Sequence, residues 1–221
     1  SLGFGHAPTL VRAAQATGVQ RAIFLGTTAI FTSLNAPSKS VRLAAEEAIQ
    51  KSGLVYTILR PTMIYGDARD RNMSRLIRYL RRFPVIPVFG SGDRLQQPVF
   101  VADVARAVVH ALLSPAAGRR CYNIAGLAPV SFNTVIDTIC AGLHRRVWKW
   151  HLPAEPIVRS LKLAERCKLR LPIKAEQILR LNEDKAFDFA EATRDFGYQP
   201  LAFCDGIRAQ LRKMELAGLF K

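Results

Sequence analysis

No apolar run in the sequence approaches the roughly 20 residues that a membrane-spanning helix needs, which excludes a helical span. The first ten residues, SLGFGHAPTL, lack both the basic start and the apolar core of a secretory signal. An initiator methionine is missing as well, so the chain is expected to begin inside a longer reading frame. There is no C-x-x-C pair and no Cys/His cluster. Cys121, Cys140, Cys167 and Cys204 stand far apart, which excludes a zinc site and predicts free buried thiols in a reducing cytoplasm. His6, His110, His144 and His151 are each alone and read as surface or core residues rather than ligands or bases. Acidic residues are scarce, 17 against 32 Lys plus Arg, for a formal charge of +15. Such an excess invites a polyanion as partner. The basic residues are scattered through helical patterns, however, and no basic motif is interleaved with aromatics, so nucleic acid is set aside. An anionic membrane surface or an acidic protein partner stays open, because either needs only charge.

What is present is an ordinary globular balance, 49% hydrophobic and 22% charged. Residues 7–18 read as an amphipathic helix ended by Gly18 in a left-handed cap. Residues 21–31 (RAIFLGTTAIF) form one apolar run, as expected of a strand buried on both faces of a parallel sheet. A helix over 38–52 follows, with Val41, Ala44, Ala45, Ala48 and Ile49 on its apolar face. In LVYTILRPTMIYG, residues 54–66, Pro61 cannot donate to a ladder, so the strand is expected to end near Leu59 or Arg60. The segment 61–66 is then a loop at the C-terminal end of the strand, the edge where open α/β sheets bind ligands.

Met73, Leu76, Ile77 and Leu80 mark a helix over 72–82; Arg71, Arg75, Arg78 and Arg82 line another face, read as solvated, with contact to phosphate or an acidic partner as the alternative. FPVIPVFGSGD reads as a connection with a short strand, and LQQPVFV as a short strand interrupted by proline. Asp103 opens the next helix as a cap or first-turn acid, and CYNIAG, 121–126, is a strand. Beyond residue 127 helices dominate: one capped by Ser131, then, after a lone strand in RVWKWHLP, three near 154–169, 174–182 and 203–217. The fold class is therefore α/β, a partial Rossmann-like parallel sheet with a small, mainly helical C-terminal lobe.

The order TTAIF, SK, TILRPTMIYG, QPVFVADVARAV and DFGYQP resembles the extended short-chain dehydrogenase/reductases, the NAD-dependent epimerase/dehydratase superfamily. The combination TTAIFT, NAPSK, AEEAI, LRPTMIYG and RDRNM is most similar to an atypical branch. That branch includes the NDUFA-type accessory subunit of respiratory complex I and its bacterial relatives. The resemblance runs the length of the chain. It implies a dinucleotide-binding part over 1–126 and a substrate-type lobe over 127–221, with interleaved elements. It also implies that the family's opening strands and Gly-rich pyrophosphate loop are missing, because Gly3 and Gly5 lack a third glycine at the right distance and a preceding strand.

The resemblance further implies roles for particular residues. Thr27, with Thr28 beside it, falls where the family hydrogen-bonds the substrate oxygen. Lys39 falls where a lysine holds the nicotinamide ribose and lowers the pKa of a tyrosine four residues earlier. Residue 35 is asparagine, which has no proton to exchange. Tyr56 and Tyr65 are the nearby phenols, and both read as packing. Arg60, Pro61, Thr62 and Met63 match the segment lining the nicotinamide. Gln96 stands where nucleotide-sugar enzymes grip a diphosphate with arginine, and Arg94 lies two residues earlier. The implied cofactor is NAD or NADP. The implied function is that of an NAD(P)-binding oxidoreductase or epimerase-like protein, weak or atypical in catalysis. The alternative is a non-catalytic accessory or assembly subunit of a respiratory-type complex. The location implied is cytoplasmic or peripheral to the inner membrane.

Overall fold

A computed structural model describes residues 6–34, 37–166 and 175–220. In chain order the elements are α1 (Ala7–Ala16), β1 (Arg21–Leu25), α2 (Pro37–Gln50), β2 (Val55–Pro61), β3 (Ile64–Tyr65), α3 (Met73–Arg82), β4 (Val85–Phe89), β5 (Leu95–Gln96) and β6 (Val99–Phe100). There follow α4 (Val101–Leu113), β7 (Arg120–Ile124), β8 (Val130–Ser131), α5 (Phe132–Gly142), β9 (Trp148–Leu152), α6 (Ala154–Arg166), α7 (Ala175–Leu181), α8 (Ala190–Phe196) and α9 (Phe203–Leu216). The elements form two compact units. The first gathers Ser1–Ile64, Pro98–Leu127 and Phe187–Phe203; the second gathers Tyr65–Gln97, Ala128–Ala186 and Cys204–Lys221.

The first unit is built on a parallel sheet of order β1-β2-β7, with Leu25 opposite Leu59 and Pro61 opposite Ile124. Side chains alternate across a strand, so neighbouring residues of β2 serve different cores. Ile58 packs with Ala7 and Val11 of α1 and Ala45 and Ile49 of α2. Leu59 packs with Tyr122, Ile124, Val104 and Ala107 of α4 and Phe196 of α8. A strand buried on both faces reads as a continuous apolar run, and that is why TIL in β2 is fully buried.

Helix α8, which hydrophobic periodicity did not reveal, ends at Gly197 in the left-handed region (φ +68°). Its Asp195 carboxylate accepts hydrogen bonds from Arg194 Nε at 2.8 Å and from the Tyr122 hydroxyl at 2.7 Å. These donors hold the Asp195 carboxyl below the usual aspartate range, against the opposing pull of burial. The folded pKa is therefore depressed. The stability it contributes is present above the ordinary aspartate pKa and is lost as pH falls through the lowered value. Asp195→Asn is expected to lower the neutral-to-alkaline plateau of the stability–pH curve and to converge with the parent protein in acid, which flattens the acid limb in that window, as read by urea unfolding at stepped pH.

Several elements depart from sequence expectation. The run 21–31 is not one strand: β1 stops at Leu25, and Thr28–Phe31 form a 3-10 turn capped by Thr27, whose Oγ1 accepts from the Ala29 amide at 3.2 Å. Pro61 does not end β2 early. It is the last paired residue, a place where its missing N–H costs least, and the Thr62 amide donates to Ile124 O at 3.1 Å. On α2 the buried face is Ala45, Glu46 and Ile49, while Val41 and Ala44 are exposed. Asp103 is the first-turn acid of α4, as expected, and not its cap. Its buried carboxylate braces the chain from 98 residues away, accepting from the Leu201 amide at 2.8 Å and from Arg106. Asp103→Ala leaves that amide without its acceptor and is expected to cost about 1–3 kcal/mol in denaturant unfolding.

In the second unit β4 pairs in parallel with β9, so the strand in RVWKWHLP is not alone, and β5 pairs antiparallel with β8. Ser131 caps α5 as expected, its Oγ accepting from the Thr134 amide at 3.0 Å. Met73, Ile77 and Leu80 of α3 are buried, as are Ile136 and Ile139 of α5 and Met214 of α9. Gly206, inside α9, lies so close to the Tyr65 hydroxyl that no Cβ fits between them. Tyr65 is thereby fixed as a packing residue. The segment Phe187–Phe203 belongs to the first unit.

Candidate cofactor edge

Strands β1, β2 and β7 run in parallel, so their C-terminal ends form one edge of the first unit. Beyond Leu25 the Gly26 amide still donates to Leu59 O at 2.8 Å, and the chain then turns sharply. Thr28 is buried, and its hydroxyl donates to Pro61 O at 3.4 Å, which ties the turn to the end of β2. Lys39, near the start of α2, donates from Nζ to Thr32 O at 2.6 Å. Three of the sequence candidates, Thr28, Pro61 and Lys39, are thus joined through one turn, and Thr27 is its capping residue. The Met63 carbonyl accepts from the Val99 amide at 3.0 Å, so the segment 60–63 is held by backbone bonds to two neighbouring strands. Asn35 lies outside the described residues.

The side chain of Arg60 is committed elsewhere. Its Nε lies 3.0 and 3.1 Å from the two Glu46 oxygens, and Nη2 lies 2.5 Å from Oε2. Both groups are largely buried. Burial works against the Arg60 charge, but the Glu46 carboxylate outweighs it and holds the guanidinium above its ordinary value. The Phe31 ring lies 5.4 Å beneath the guanidinium and stacks at 5.9 Å on Phe187. Glu46 was not picked out from the sequence. The available signal was its place on α2, seven residues after Lys39 and between buried Ala45 and Ile49.

Gly26 belongs to the same arrangement, because a Cβ there would sit 2.9 Å from Glu46 Oε1 and 3.3 Å from Ile58 Cγ2. Gly26→Ala is expected to push Glu46 off Arg60 and to cost about 1–3 kcal/mol, visible as a lowered thermal midpoint. Next to it, a crevice of about 350 Å³ runs between α1 and α2 over β1. It is lined by apolar residues, from Gly26 and Ala45 to Leu10 and Phe24, with Glu46 as its acid. That lining offers nothing to a phosphate.

The other candidates resolve individually. Tyr56 is half-buried, and burial pushes its hydroxyl pKa up. Cys121 is half-buried, Cys140 is buried and Cys204 is exposed, so the expectation of buried thiols fails at Cys204. Cys167 lies outside the described residues. Burial raises the thiol pKa of Cys121 and Cys140, which keeps both from acting as thiolates. Among the described residues no group of His, Cys, Asp or Glu could hold a metal ion.

In the second unit, Gln96 is buried and is not left without charge. Lys185 Nζ donates to its Oε1 at 3.3 Å and also to Arg180 O. Burial pulls the Lys185 ammonium below its ordinary pKa, with Glu183 opposing and Arg180 assisting. Arg94 instead pairs with Asp184 at 2.9 Å. Lys185 was also missed in the sequence, where it gives no periodic signal.

An open parallel α/β sheet with helices packed on both faces and the candidate residues at its C-terminal edge defines the doubly wound, Rossmann-like class of fold. Residues 4–125 match the NAD dependent epimerase/dehydratase family, and the chain belongs to that family, within the extended short-chain dehydrogenase/reductase superfamily. The uncharacterized protein y4nG of Sinorhizobium fredii is 25% identical over 217 residues, which cover 90% of this chain and 54% of that protein. The mouse NADH dehydrogenase (ubiquinone) 1 alpha subcomplex subunit 9, mitochondrial, is 28% identical over 147 residues, 65% of this chain and 38% of that protein. A UDP-glucuronic acid 4-epimerase from Bacillus cereus, solved with UDP-glucuronic acid and NAD, superposes with a TM-score of 0.72 at 17% identity. The match covers 96% of this chain and 66% of that one. The chain thus spans about half the length of its Sinorhizobium relative. Among the described residues no helix is long and apolar enough to cross a membrane.

Proposed function

We propose that the chain carries the nicotinamide-side wall of an NAD or NADP site in an atypical extended short-chain oxidoreductase of epimerase/dehydratase type. In this reading residues 1–126 serve the dinucleotide and 127–221 form the substrate-type lobe. The observation that supports it most is the joining of Thr28, Pro61 and Lys39 through one turn at the C-terminal edge of a parallel sheet. The residues present fit half of a dinucleotide. Lys39 spends one hydrogen on Thr32 O and has two more for ribose hydroxyls. Thr27 uses its oxygen as acceptor from Ala29, which leaves its hydroxyl hydrogen for a substrate oxygen. Arg60, Pro61, Thr62 and Met63 contribute backbone to the wall, since the Arg60 guanidinium is committed to Glu46. Bound dinucleotide would accept and return a hydride. With asparagine at position 35, the proton exchange that accompanies that chemistry lacks its usual phenol, so turnover is weak.

A second reading is favoured by Asn35 together with the similarity to a complex I subunit. Here the fold binds dinucleotide as a structural ligand and serves as an accessory or assembly subunit, cytoplasmic and peripheral to a membrane. Assays with NAD and UDP-sugars, run beside affinity purification of the native protein, separate the two. Hydride exchange into substrate without a stoichiometric partner supports the first. A stoichiometric partner without exchange supports the second.

A further inference from the structure

The two tryptophans of this chain share one exposed sheet face. Trp148 and Trp150 are 74% and 58% exposed, and they stand two residues apart on β9, hence on the same side. Lys149 between them points the other way and pairs with Asp137 at 2.8 Å. Across the ladder, Trp148 is opposite Val85 and Trp150 opposite Pro87. Val85 is 40% exposed and Phe83 43%, while the alternate residues Ile86 and Val88 are buried. The outer face of this two-stranded sheet is therefore an aromatic and aliphatic strip.

Because β4 and β9 are parallel, both start at the same end, and both are entered from basic sequence: Arg81–Arg82 before β4, and His144–Arg145–Arg146 before β9. Arg82, Arg145 and Arg146 are exposed, and among the described residues none of them is in an ion pair; Arg82 lies 5.6 Å over the Phe83 ring. Neither 71–92 nor 138–154 contains an Asp or Glu.

We infer that this face docks the protein on the surface of an anionic lipid bilayer. The indoles and Phe83 would lie at the headgroup level and the arginines would meet lipid phosphates. Indole rings are amphipathic and favour that interface, and each arginine near an anionic surface adds attraction. Single-stranded nucleic acid would also stack on indoles, but Val85 and Pro87, set between and beside them, gain from lipid and not from bases. In a two-fold contact a second copy of the chain would present the same strip and flank, whose segments 71–92 and 138–154 hold no Asp or Glu to meet the arginines. All these residues lie in the second unit, so failure of this inference leaves the dinucleotide reading standing.

The test uses the full chain and its tryptophan fluorescence, excited beyond the tyrosine band, which reports on this patch alone because the chain has no other tryptophan. On vesicles of phosphatidylcholine with phosphatidylglycerol the protein is expected to co-sediment with a blue-shifted emission. On phosphatidylcholine alone, or at high salt, binding should fall. The double variant R145Q/R146Q should weaken partition about 25-fold, roughly fivefold per arginine. W148S/W150S should abolish co-sedimentation, with an unchanged far-ultraviolet spectrum because both side chains are exposed. No partition onto anionic vesicles overturns the inference. So does partition that leaves tryptophan emission unmoved or survives W148S/W150S, and so does an oligonucleotide that shifts the emission where vesicles fail.

Discussion

Replacing Glu46 by alanine is expected to lower the unfolding free energy by about 3–5 kcal/mol, the usual cost of leaving one partner of a buried ion pair behind. Arg60 would remain at the end of β2 with its guanidinium largely buried and its three short contacts to Glu46 gone. The Phe31 ring beneath it offers too little to compensate, about 0.5–2 kcal/mol for a cation over an aromatic face. Glu46→Gln should cost less, since an amide oxygen still accepts from Arg60. Replacing both partners with apolar residues of similar volume, as in E46L/R60M, should recover most of the loss, because no buried charge is then left uncompensated. Urea unfolding midpoints of the four proteins check this directly. A loss below about 1 kcal/mol for Glu46→Ala would match an exposed pair and contradict the burial described here.

The second large effect concerns Lys39. Lys39→Ala is expected to weaken binding of NAD(P)H by about 10- to 100-fold, the range lost with one charge-assisted hydrogen bond to a ligand. Stability should move little. Near the start of α2 a lysine is unfavourable to the helix dipole, and removing it returns about 0.3–1 kcal/mol. Loss of the bond from Nζ to Thr32 O offsets that return. The combination of weakened binding and near-constant unfolding midpoint distinguishes a ligand contact from a structural brace. A general loss of stability with unchanged affinity would assign Lys39 to the turn alone.

The contrast between these residues shows what the sequence discloses. Buried apolar runs such as TIL in β2, and the i, i+3, i+4, i+7 set of α3, declare both element and core, because burial on two faces or on one stripe leaves a period in the letters. Ser131 as a cap and Gly18 as a terminator are legible for the same reason: each position demands a particular residue chemistry. The break of 21–31 into a strand and a 3-10 turn was not legible. Gly26 is required there by the approach of Glu46, a partner 20 residues away that no local window contains. The same holds for Asp103, whose bracing of Leu201 spans 98 residues, and for Lys185, which meets Gln96 across 89. At the candidate edge, Thr27, Thr28, Lys39 and the segment 60–63 came from resemblance. The structure adds that Thr28 is spent on Pro61 and the Arg60 side chain on Glu46, so Thr27 and Lys39 carry the remaining hydrogen-bonding capacity.

The most direct test of the nicotinamide-side reading is a calorimetric titration of NADH and NADPH into the native full-length protein, with adenosine diphosphate ribose as the control that lacks nicotinamide. The proposed wall predicts saturable binding of at least one reduced dinucleotide, tighter than the control, with the difference lost in Lys39→Ala. Equal affinity for dinucleotide and control, or no binding of either, would contradict it.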